Sequence, residues 1–194
     1  MRNLVLIFLL LIVPVKALSQ KSPQSVVIDF YKWYFSVIES GQIEDYQPIF
    51  VADSTGMTTL DMNKYIKNLR LYNFSDSLIN HEVASYQSCI KEIGKIKFDE
   101  LNDKFPNLDD YKNIGCDFFN IYRWLMDVEP MNGVDIIETI KINDNKIIVK
   151  GQFFRGDEKT KDKSYWNSYL YVSLNNENNV WKIDQIEIKK TNLK

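Results

Sequence analysis

One histidine, two cysteines and four arginines are all that a chain of 194 residues contains of these three types. A single imidazole and two thiols cannot assemble a zinc finger or a histidine-rich metal centre. Two cysteines also exclude a disulfide-dense mini-protein. No Gly-x-Ser-x-Gly elbow, phosphate-binding loop or Gly-x-Gly-x-x-Gly stretch occurs, so the familiar hydrolase and nucleotide-binding motifs are missing. Arginine scarcity counts against bidentate phosphate or carboxylate recognition, which favours the guanidinium fork. Surplus positive charge is lacking as well. The formal net charge is −2, and beyond residue 19 there are 22 Lys+Arg against 26 Asp+Glu. That balance excludes a basic nucleic-acid domain, whose affinity comes from neutralising phosphates. What the chain does have is 45% apolar and 13% aromatic residues, which excludes a wholly disordered polymer. Its length suits one domain.

The N-terminus, MRNLVLIFLLLIVPVKALSQ, reads as a signal peptide over residues 1–19. Arg2 is the basic n-region, Leu4 to Val13 is the apolar run, and Pro14 ends it. Ala17-Leu18-Ser19 puts small residues at the −3 and −1 positions, so cleavage is expected at Ser19-Gln20. Ten apolar residues span about 15 Å as a helix, half of a hydrocarbon core, which argues against a membrane anchor. No later stretch reaches 18 apolar residues. The cleavage region has no cysteine to take a lipid. The expectation is a periplasmic or secreted chain with no transmembrane anchor after cleavage, folding as one domain over 20–194.

The first two thirds of that chain are patterned as helix. Ser22-Pro23 offers an N-cap followed by proline at the first helical position. Val26, Val27, Phe30, Tyr34, Val37 and Ile38 recur at helical spacing, and Gly41 is a natural stop. A loop is expected through Pro48 and Gly56, then a helix over 61–72. A longer helix is expected from Ser75 to Ile96, where Ile79, Val83, Tyr86, Ile90 and Ile93 form one stripe. Residues 97–113 are polar and read as loop, and Phe118, Tyr122 and Leu125 hint at a short helix. The period then changes from 3.6 to 2. Strands are expected at 134–142, 146–154, 165–174 and 180–189, joined by short turns and so antiparallel. In the last strand Trp181 and Ile183 share one phase, while Ile186 and Ile188 share the other. A bulge near Gln185 would reconcile them.

A Phe30-Tyr31-x-Trp33-Tyr34 helix, further helices, β-hairpins and a closing Trp181-Lys182-Ile183-Asp184-x-Ile186 strand resemble a known pattern. It is that of small exported bacterial proteins of unknown function with a cystatin-like, nuclear-transport-factor-2-like fold, some of them envelope lipoproteins. The likeness spans most of residues 22–190, and its motifs are structural. It implies an aromatic helix packed into a curved sheet whose final strand carries the tryptophan. The missing lipid-attachment cysteine departs from the lipoprotein members. Gly115-Cys116-Asp117-Phe118 resembles the family's Asp-containing link before the sheet, but the aromatic insert after it departs from the pattern.

Few residues qualify as candidates for chemistry. His81 lies off the apolar stripe of its helix and is expected to face water. It cannot activate Cys89 from about 12 Å along the same helix, and nothing near Cys116 marks an activating site. Cys89 and Cys116 are the only thiols of an exported chain. They are expected to form a disulfide, the alternative being two buried free thiols. Glu138 shares a strand phase with Ile136, Ile140 and Ile142. If that phase faces the concave side of the sheet, Glu138 sits in an apolar pocket with a raised pKa, as a general base requires. Ketosteroid isomerase, on this general architecture, does use a carboxylic acid within the cone. The alternative is a glutamate at the sheet margin. Tyr165, Tyr169 and Tyr171 share a phase opposite to Trp166, Leu170 and Val172. On an exposed face they suit protein or glycan contact; under helices they are core. Lys159, Lys161 and Lys163, mixed with acids, read as a solvated hairpin tip.

The expected fold is therefore α+β, N-terminal helices packed on a curved four-stranded antiparallel sheet. The expected function is a non-enzymatic periplasmic or secreted binding module whose partner is an unidentified envelope protein or small molecule. No cofactor, metal or nucleic acid is called for. The alternatives are an isomerase- or dehydratase-type enzyme using Glu138, or a toxin-immunity protein.

Overall fold

The computed structural model describes residues 21–116, 118, 121–156 and 162–190. The expected signal peptide 1–19 and its cleavage point at Ser19-Gln20 lie outside the described residues, as do Asp117, Lys159 and Lys161. Helix α1 (Pro23–Ser40) starts where the Ser22 side chain accepts the Ser25 N–H at 3.2 Å. It stops at Gly41, whose φ of 70° lets its N–H turn back to the Ile38 carbonyl. One face of α1, including Val27, Phe30, Tyr31, Tyr34 and Phe35, is buried.

After α2 (Ile43–Tyr46) the chain forms a small antiparallel hairpin, β1 (Ile49–Ala52) and β2 (Thr58–Asp61), where a loop was expected. The Asp53 carboxylate holds its turn by accepting the Thr55 and Met57 N–H groups at 2.7 and 3.0 Å. Helix α3 (Asn63–Leu71) follows as expected. The single helix expected over 75–96 is two helices, α4 (Asp76–Ser85) and α5 (Gln87–Ile93). The break is at Tyr86 (φ −90°, ψ −2°), whose N–H bonds the Val83 carbonyl at 3.3 Å and whose hydroxyl turns back to Glu82. Residues 97–113, expected as loop, contain a 3₁₀ turn (Phe98–Glu100), α6 (Leu101–Lys104) and most of a second 3₁₀ helix (Leu108–Ile114).

The remaining chain builds an open antiparallel sheet of five strands rather than four: β3 (Gly133–Asn143), β4 (Lys146–Arg155), β5 (Ser164–Tyr165), β6 (Ser168–Glu177) and β7 (Val180–Lys190). The order is β3-β4-β6-β7, with β5 paired to the end of β4. The fifth strand arises because the expected strand 165–174 is interrupted after Tyr165, which pairs Phe154, before β6 begins. In β7, Ser173 faces Gln185 but Leu174 faces Ile183, leaving Asp184 unopposed. This bulge turns Trp181 and Ile183, as well as Ile186 and Ile188, toward the core. Two more register shifts lie in β3, between Ile136 and Glu138 and between Lys141 and Asn143.

The helices lie on one side of the sheet. Tyr31 and Phe35 of α1 meet Phe153 edge-on at 5.0 and 6.0 Å, and Gln24 donates to Thr139 at 2.9 Å. Segment 73–75 runs along the free edge of β7. Ile183 N–H bonds the Asn73 carbonyl at 2.7 Å and its carbonyl accepts the Ser75 N–H at 2.8 Å. No described helix is long and apolar enough to cross a membrane.

Candidate functional site

The face of the sheet turned away from the helices is covered by no described helix. Register puts Glu138, Lys150, Tyr171 and Glu187 in one row across four strands of this face. The Lys150 ammonium sits 4.3 Å from the Tyr169 ring centroid and 5.8 Å from that of Tyr171. Lys189 approaches the Tyr171 ring at 5.0 Å. Such cation–ring contacts hold flat aromatic surface in place without burying it. Ile140 and Ile148 pair in the next row, both half-buried.

The tyrosine stripe is therefore on the open face. Tyr169 and Tyr171 are half-buried and adjacent, whereas Tyr165 is exposed on its own short strand. Tyr165 donates to Asp135 at 2.6 Å, and Lys163 bonds both oxygens of that carboxylate at 2.8 Å. Burial pulls the Asp135 carboxyl upward, but these two partners outweigh it and hold it below the usual carboxylate range. Lys163 also caps the Phe154 ring at 3.9 Å, so it is not the freely solvated tip residue expected.

Glu138 does not occupy an apolar pocket. The β3 bulge separates its phase from that of Ile136, and it projects, exposed, from the uncovered face opposite Lys150. No enclosed apolar setting surrounds it. Cys89 and Cys116 form a disulfide with Cα atoms 4.9 Å apart, and both are fully buried. The disulfide ties α5 to the end of the second 3₁₀ helix. His81 is exposed, as expected, at the rim of a hollow beside α4.

A second locus has no counterpart in the sequence patterning. Glu82 on α4 is 1% exposed, and its carboxylate is fully engaged. Oε1 accepts the Tyr65 and Tyr86 hydroxyls at 2.8 and 2.9 Å, while Oε2 accepts Nε and lies 2.9 Å from Nη2 of Arg123. Burial first, and then the Glu82 charge, push both tyrosines well above their ordinary pKa, so they remain donors. Burial draws the Arg123 guanidinium down, but Glu82 more than offsets this and raises it. The next residue, Trp124, is fixed through its backbone: Tyr31 donates to its carbonyl at 3.0 Å and its N–H bonds the Tyr34 hydroxyl at 3.3 Å. Glu82 and Arg123 lie 41 positions apart and obey no periodicity, so only the spacing of Glu82 three residues after Ile79, on the buried stripe, could have flagged the pair.

Arg123 and Trp124 border a hollow of about 270 Å³ between α4, the 122–127 turn and the core side of β7. A hollow of about 320 Å³ lies near Trp166, but its guanidinium, Arg155, is paired with Glu129. Among the described residues no three His, Cys, Asp or Glu side chains are grouped as a metal site. The chain matches no protein-family model, no curated protein and no solved structure.

Proposed function

We propose that this chain is a non-enzymatic binding module, exported to the periplasm or beyond, that docks a protein on the uncovered face of its sheet. One observation carries the reading: Lys150 and Lys189 brace Tyr169 and Tyr171 on a sheet face that no described helix covers. Tyrosine offers large amphipathic contact area with little entropy to lose, and here that entropy is already reduced by the lysines. The opposite face is packed on α1, so the platform is rigid. An isomerase or dehydratase acting through Glu138 lacks this support, because Glu138 is exposed and opposite a lysine. A toxin-immunity role falls within the proposed class. The long aromatic helix laid on a bulged antiparallel sheet supports placing the architecture with cystatin-like, nuclear-transport-factor-2-like folds.

The test is native mass spectrometry of the protein isolated from its own host without reduction, alongside a Tyr169→Ser/Tyr171→Ser double variant. The expected result is a stoichiometric protein companion on the wild type that the double variant loses and Glu138→Gln keeps. A bare wild-type chain, or a companion retained by the double variant, overturns the reading.

A further inference from the structure

The hollow beside Arg123 has the makings of a small-molecule site, separate from the sheet face. Its walls are apolar, supplied by Leu78 of α4 and by Ile186 and Ile188 of β7, with the exposed Met126 at its rim. Its polar lining consists of His81 at the rim, Gln185, the engaged Glu82 and Arg123. Arg123 directs Nε and one N–H of Nη2 at Glu82, and a guanidinium carries five N–H groups. The other three have no partner among the described residues, and the Arg123 side chain keeps 34% of its surface exposed. The next residue, Trp124, is 6% exposed, and its Nε1, closed off from the hollow, is the one buried side-chain nitrogen or oxygen without a hydrogen-bond partner among the described residues. A buried indole N–H lacking an acceptor is an unfavourable arrangement that proteins seldom keep without a reason. The turn presenting it is itself strained, with Met126 at a φ of 53°.

The spare Arg123 groups are donors, and the one carboxylate of the lining, Glu82, is already saturated by four donors. An incoming head group must therefore be an acceptor, and a negatively charged one gains most from the guanidinium edge. The volume gives the size of the rest. At roughly 30 Å³ for each water-sized atom, the hollow holds about nine non-hydrogen atoms. We infer that this chain binds a short apolar monocarboxylate, its carboxylate on Arg123 and its hydrocarbon body against Ile186, Ile188 and Leu78. Glu82 is the positioning residue that fixes the fork.

The experiment is calorimetric titration of the disulfide-bonded mature chain with hexanoate, and with 1-hexanol as the uncharged analogue. Saturable one-to-one hexanoate binding is expected, with 1-hexanol weaker by at least about tenfold because the charge-assisted bonds are lost. Removing Arg123 alone leaves Glu82 buried and unpaired, so the charge is tested in the near-isosteric Glu82→Gln/Arg123→Gln pair, which should reduce hexanoate affinity to that of 1-hexanol. Absence of saturable hexanoate binding, equal binding of 1-hexanol, or unchanged affinity in the paired variant overturns the assignment.

Discussion

Glu82 shows how much of this molecule depends on one side chain satisfying several others. Four donors converge on its two oxygens, and the residue is 1% exposed. Arg123→Ala would leave that charge buried with only two hydroxyls, and should destabilise the fold by about 3 kcal/mol, read as a lower urea midpoint at unchanged slope. Tyr86→Phe removes one charge-assisted bond and should cost about 1.5 kcal/mol in the same assay. Asp135 gives a pH-dependent counterpart. Its carboxyl lies below the usual range in the folded chain, so it contributes stability above its unfolded pKa of about 3.9 and loses it as pH falls through the lower folded value. Asp135→Asn should therefore lower stability at neutral pH and flatten its decline in acid, measured by thermal melts from neutral pH down into that acidic window. At this scale the sequence was only partly readable. Cys89 and Cys116 could be paired from their number and the expected compartment. The Glu82–Arg123 pair could not, because a contact across 41 positions leaves no local period.

Elements with strong local signals form where the pattern places them. α1 begins at Ser22-Pro23 and ends at Gly41, because cap, proline and left-handed glycine all act within a few residues of the boundary. The hairpin turns of the sheet were legible for the same reason. Failures occurred where tertiary contacts override the pattern. The 4-3-4-3 apolar stripe continues through Tyr86, yet the helix breaks there, with the tyrosine hydroxyl taken up by Glu82. The β1–β2 hairpin was missed because its signal is a single side chain, Asp53, folding its own turn. Of the two readings of Glu138, the apolar pocket fails on one bulged residue in β3, since a shift of one position moves every following side chain to the other face. Glycines separate local from packing constraints. An added Cβ at Gly133 would lie 2.3 Å from the Phe154 ring, whereas at Gly41 it meets nothing within 4 Å. Gly133→Ala should accordingly cost about 1–3 kcal/mol through overpacking, and Gly41→Ala about 1 kcal/mol through backbone strain alone. Parallel urea titrations would check the order.

Across the whole molecule, the Cys89–Cys116 disulfide closes a loop of 27 positions that includes α6 and both 3₁₀ helices. Loop entropy makes it worth about 3–4 kcal/mol. Reduction should lower the melting temperature and, by hydrogen exchange, loosen residues 94–116 before the sheet. The two sides of that sheet differ, one carrying the helices and the other covered by no described helix. Its two ends are also closed in different ways. Segment 73–75 occupies the outer backbone of β7 at Ile183, and β3 is interrupted by the extra residue at Ile137. Each feature shortens the run of regularly spaced backbone donors and acceptors open to another strand, and so disfavours growth of the sheet from molecule to molecule. Deleting Ile137 would remove one of the two register shifts in β3, leaving that between Lys141 and Asn143, and should raise thioflavin-positive aggregation on concentration.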